Sequence, residues 1–158
     1  LNLLLNEADM YIKLEKMDKF GELMNQAIAL DPKNPTLYYN LGVVNFNQGR
    51  VEDAKKYYEK AIELKPNYSD AYMNIAVVVL DKDKKIVEEM NKNLSNFKKY
   101  DALALEQKEV YKEALPFLEK ADSLKRSIST VKTLMNLYEV LEMEAKATEY
   151  RAIYKSMK

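Results

Sequence analysis

The chain has 158 residues, 47% hydrophobic and 32% charged, which suits one compact domain or a short array of repeats and excludes a disordered segment. Its 25 basic and 25 acidic side chains cancel to a formal net charge of zero, so the basic field by which nucleic-acid binders displace counterions is missing. Cysteine and histidine are both absent, which removes disulfides, structural zinc, thiol chemistry and every histidine-based triad.

Scarce glycine (3) and proline (4) favour helix throughout, because straight-chain residues lose little rotamer freedom there. The longest apolar run, Ile75 to Leu80, is far short of the roughly 20 residues of a membrane span. The chain opens at Leu1, inside a helical pattern and without an initiator methionine, and reads as a mature or trimmed form.

In chain order, residues 1–34 place Leu4, Ala8 and Tyr11 on a first helix and Ala27 on a second, with Pro32 as a stop. Phe20 lies 34 residues before Ala54, a ring where the next pair has a small residue, so this hairpin is expected to pack loosely. Residues 35–68 carry the clearest pattern. Tyr38, Leu41, Tyr58 and Ile62 supply packing ridges, while Gly42 and Ala61 are small where the helices must approach. Gly49 closes the first helix of this pair and Pro66 stops the second.

Residues 69–127 begin in the same register with Tyr72, Ile75, Ala76 and Val79. The partner-helix signature arrives late, as Tyr111, Ala114, Leu118 and Ala121, after roughly 26 extra residues. That insertion, Asp81 to about Glu106, repeats Ile86, Val87, Met90, Leu94 and Phe97 at helical spacing, which predicts two lengthened helices with a tip between Asn93 and Tyr100. Pro116 lies inside the second and is expected to kink it. Residues 128–158, with Val131, Leu134, Tyr138 and Ala147, form a terminal capping unit.

The order of aromatic, Leu-Gly, Ala, aromatic, Ala and Pro over residues 35–68 resembles the tetratricopeptide repeat (TPR) family, whose period is 34 residues. One departure is Asn45, where the family usually has an aromatic residue. The resemblance implies a single all-α domain over 1–158, a TPR-type helical-hairpin solenoid of about four units with the third elongated. The long third hairpin, with "ALPFLEKA" and "TLMNLYEVLEME" after it, is also similar to small TPR proteins of bacterial cell envelopes. That likeness implies a periplasmic or envelope setting in preference to the cytoplasm.

In the family the first helix of each unit lines a concave groove, which here implies Asn6, Asn40 and Asn74 at one equivalent position. An asparagine amide both donates and accepts, so such a row suits the backbone of an extended peptide. Tyr39, Val43, Phe46, Met73 and Val77 would add apolar contact. A solvated row, or a stripe covered by the inserted hairpin, is the plainer alternative. The chaperone clamp for a C-terminal carboxylate does not fit, because only Asn40 matches it, and Asp9 and Asp70 would repel the ligand.

No catalytic arrangement stands out. Gly21, Gly42 and Gly49 are isolated, so no phosphate loop exists. Adjacent Glu88 and Glu89 point in different directions, and Lys98-Lys99-Tyr100 is too short for a nucleic-acid patch. The expected activity is therefore non-catalytic binding of another protein or peptide, with no cofactor and no metal. A scaffold subunit using its convex side or the hairpin tip at Leu94 and Phe97 is the alternative.

Overall fold

The structure, a computed structural model, describes residues 2–14 and 16–157. The side chains of Asn2, Leu3, Leu5, Asn6, Asp9 and Ile12 lie outside the described set. Among the described residues there are eight helices and no strand: α1 (Asn2–Lys13), α2 (Met17–Leu30), α3 (Pro35–Asn47), α4 (Val51–Leu64), α5 (Ser69–Lys92), α6 (Phe97–Leu124), α7 (Ile128–Val140) and α8 (Glu144–Ser156). No helix among the described residues is long and apolar enough to cross a membrane. The chain divides into two compact units, Leu1–Ala71 and Tyr72–Lys158.

In the first unit, α1 pairs with α2 and α3 with α4, and α2 also packs on α3. Asn34 starts α3 by accepting the Thr36 N–H at 3.1 Å, and Pro35 follows at a position that needs no N–H donor. Gly42 decides how near α4 can come. A Cβ built on it would lie 2.5 Å from Tyr58 Cε1 and 2.6 Å from Cδ1, so the ring occupies the space a side chain would need. Phe20, expected to loosen the α1–α2 pair, is 1% exposed and joins a core with Leu23, Met24, Leu37 and Leu41. The ring's volume is fully absorbed in that core.

The α3–α4 turn places Gly49 at φ +75°, where a Cβ would be strained. Asn45, in the family's aromatic position, is buried and fully used. Its Nδ2 donates to the Leu41 carbonyl at 2.8 Å, and its Oδ1 accepts Arg50 Nε at 2.7 Å. The amide thus ties the last turn of α3 to the start of α4. The α7–α8 turn repeats the backbone pattern with Glu142 at φ +58° in the place of Gly49.

In the second unit, α5 and α6 have 24 and 28 residues and are joined by a short turn at 93–96. Asn96 caps α6 by accepting the Lys99 N–H at 3.2 Å. The two helices are stitched by Asp83, which accepts Gln107 Nε2 at 2.7 Å and the Tyr111 hydroxyl at 2.9 Å. Ile86 and Val110 are buried, but between them no side chain is fully buried, so the far half of the hairpin stands outside the core. Helix α6 runs on through Pro116 to Leu124.

Where α6 gives way to α7 and α8, Asp122 is buried and accepts four hydrogen bonds from three residues. Oδ2 accepts Arg126 Nε at 3.0 Å, Arg126 Nη2 at 2.9 Å and the Tyr150 hydroxyl at 3.0 Å, while Oδ1 accepts Thr130 Oγ1 at 3.3 Å. Ser127 and Thr130 form a reciprocal cap on α7.

Two substitution experiments check this packing. Gly42→Ala is expected to cost about 1–3 kcal/mol in urea unfolding, because Tyr58 must move, whereas Gly21→Ala, with nothing within 4 Å of the new Cβ, gains about 0.5–1 kcal/mol. Asp122→Ala is expected to cost about 3 kcal/mol, because the buried Tyr150 hydroxyl and the Arg126 guanidinium lose their acceptor.

Candidate functional site

The expected groove residues fall on two helix faces and one turn. On α3, Thr36, Tyr39, Asn40, Val43 and Asn47 follow a three-and-four spacing that puts them on one side, away from buried Leu37, Leu41 and Val44. Tyr39, Asn40, Val43 and Phe46 are half-buried. On α5 the same spacing aligns Asp70, Met73, Asn74 and Val77, with Met73 and Asn74 half-buried and Val77 exposed. Asn6, the first member of the proposed row, lies outside the described side chains.

Asn40 and its neighbours belong to the first compact unit, and Met73, Asn74 and Val77 to the second. The Asn40 amide makes no side-chain hydrogen bond among the described residues. Asn74 is already engaged within the chain. Leu94 and Phe97 stand at the α5–α6 turn, 63% and 76% exposed.

Part of the α3 stripe is covered from within its own unit. Tyr68, in the link after α4, stacks on Tyr39 with ring centroids 5.0 Å apart, and Tyr39 meets Tyr58 at 5.7 Å. The Lys65 ammonium lies 4.6 Å over the outer ring. Burial raises the Tyr68 hydroxyl pKa, opposed by a hydrogen bond with Thr36. The open remainder of the stripe is Asn40, Val43, Phe46 and Asn47, a polar amide beside two apolar side chains. Sequence spacing gave no sign of Tyr68, because a residue in a link has no period to place it.

The tyrosines of the second unit are also perturbed. Burial, and then the hydrogen bond to Asp83, raise Tyr111 to about 12. Burial and Glu119, which accepts the hydroxyl at 2.7 Å, raise Tyr138, and burial with Asp122 raises Tyr150. A folded tyrosine that keeps its proton until about pH 12, against an ordinary value of 10.0, stabilises the fold fully below pH 10 and loses that contribution as pH rises towards 12. Denaturant titrations are therefore expected to show stability falling above pH 10, with a shallower fall in Tyr111→Phe.

Known proteins share parts of this chain. Two tetratricopeptide repeat models match it, one over residues 1–34 and one over 35–68. Protein O-mannosyl-transferase TMTC3 of Homo sapiens is 30% identical over 95 residues, which cover 59% of this chain. The chain spans only 10% of that relative's length. Among solved structures, MamA superposes with a TM-score of 0.65 at 22% identity, covering 96% of this chain and 72% of that one. The TPR2B domain of yeast Sti1, in a complex with pHsp70, gives 0.56 at 17% identity, covering 94% and 95%. The structural likenesses extend the helical-hairpin fold beyond residue 68, into the part no repeat model matches. Residues 1–68 are thus matched by tetratricopeptide repeat models, and beyond them the likeness to solved structures is one of fold.

Proposed function

We propose that this protein is a non-catalytic interaction module that holds an extended peptide or partner segment along the first helices of its repeats. Asn6, Asn40 and Asn74 would pair with the ligand backbone, and Tyr39, Val43, Phe46, Met73 and Val77 would take its side chains. The observation that carries this reading is Asn40. Its amide is half-buried beside Val43 and Phe46, has no hydrogen-bond partner among the described residues, and offers donor and acceptor together. An extended strand presents both groups at every residue, so one amide can make two bonds to it. The TPR2B domain in its complex with pHsp70 gives a precedent for the fold as a protein-binding one. The clamp residues for a free carboxylate are missing, and Asp70 is exposed where a cation would be needed, so the ligand is read as an internal segment.

A second reading rests on Leu94 and Phe97, two large apolar side chains left in solvent at the end of a long hairpin. They suit a scaffold subunit of a larger assembly, in a bacterial envelope or periplasmic setting.

Retention of partners from native lysate separates the two. Asn40→Ala/Asn74→Ala is expected to weaken retention about tenfold while circular dichroism stays unchanged, corresponding to loss of one or two ligand hydrogen bonds. Equal retention by both proteins, with loss in Leu94→Ser/Phe97→Ser, would transfer the function to the hairpin.

A further inference from the structure

The outer face of α6 carries an ordered pattern that the groove does not use. Lys98, Ala102, Leu105, Glu109 and Lys112 follow one another at spacings of four and three, and all five are exposed. They run down the side of α6 opposite buried Val110, Ala114 and Leu118, with Leu105 66% exposed at the middle. This is the spacing of a two-helix seam, with a small and a large residue adjacent at its centre.

The charges beside that seam fix which helix would complete it. Along α6 they run Lys98, Lys99, Asp101, Glu106, Lys108, Glu109. A second copy of α6 laid antiparallel, with the two-fold between Leu103 and Ala104, sets Ala102 against Leu105 and Lys98 against Glu109. On the flanks Lys99 then meets Glu106, and Asp101 meets Lys108. Every facing pair has opposite sign. A parallel copy in register would instead bring Asp101 to Glu106 and Lys98 to Lys98, both repulsive. Lys98, Asp101 and Glu106 have no ion-pair partner among the described residues, so they are available. Lys99, Lys108 and Glu109 hold solvent-facing pairs with Glu89, Glu142 and Lys112, which cost little to exchange.

We propose that this face docks on the same face of a second copy of the chain, forming an antiparallel, two-fold α6–α6 contact. The arrangement is independent of the peptide reading, since it uses none of those residues. From Lys98 to Glu109 the facing seam is about 17 Å long, less than a standard interface covers, so the dimer is weak and in rapid exchange. Its attraction is largely between exposed charges and fades as salt rises.

Sedimentation velocity on the full chain, over rising concentration in low and high salt, tests the contact. The expected result is concentration-dependent dimer that diminishes with salt. Lys98→Glu alone and Glu109→Lys alone are each expected to lower the association constant about tenfold, because each creates two like-charge pairs. Mixing the two variants in equal amounts restores association, because in the mixed dimer every facing pair is again opposite in sign. That recovery cannot come from misfolded chains, and circular dichroism of each variant confirms it. A wild-type chain that stays monomeric to its solubility limit overturns the proposal. So do single variants that self-associate like wild type, or a mixture that gains nothing.

Discussion

The approach of α4 to α3 at Gly42 governs much of what surrounds it. A ring fits there only because no Cβ is present, and Tyr58 is 2% exposed as a result. Once seated, Tyr58 supports Tyr39, and Tyr39 supports Tyr68 in the link that leads to α5. A residue in the middle of one helix therefore settles the position of a side chain ten residues beyond the next helix's midpoint, through two aromatic contacts. The same series decides how much of the α3 flank is left uncovered within this unit.

Two polar junctions complement that apolar one. Asn45 and Asp122 both sit near the end of a helix, both are buried, and each takes a hydrogen bond from an exposed arginine. In each case the arginine lies at or just past the turn into the next helix, so the interaction sets the angle at which the chain re-enters helix. The Asp122 site is the richer. It adds Thr130 from α7 and Tyr150 from α8, so three successive helices share one carboxylate. A buried acceptor with both oxygens engaged is strongly direction-specific, which suits a junction better than interchangeable hydrophobic contacts would.

The helical periods were legible because they repeat. Leu41, Gly42, Ala61 and Ala114 mark small-and-large packing that any hairpin of this kind requires, and the lengthened third pair followed from counting the residues between its signatures. Contacts set by tertiary partners left no such trace. Asn45 reads as a misplaced polar residue until Arg50 is seen against it. Asp122 reads as one charge in a polar stretch, and Asp83 as part of a mixed run with Lys82 and Lys84. Phe20 reads as a wedge, yet a core shared by α2 and α3 makes room for it. For the candidate site, spacing gathered one stripe on α3 and another on α5, each of which lies along one helix face. What it left out was the neighbour: Tyr68 over one end of the first stripe, and the existing engagement of Asn74 in the second.

The far half of the α5–α6 hairpin has helix lengths that suggest rigidity, but its interior says otherwise. Without a fully buried side chain between Ile86 and Val110, little apolar free energy holds those turns beyond their own backbone hydrogen bonds. Amide protons there should exchange with solvent through local opening, at free energies well below that of global unfolding, while those near Asp83 and Tyr111 exchange far more slowly. The far half of the hairpin is thus expected to open ahead of the rest of its unit. Whatever settles on it will register first as slowed exchange in that segment.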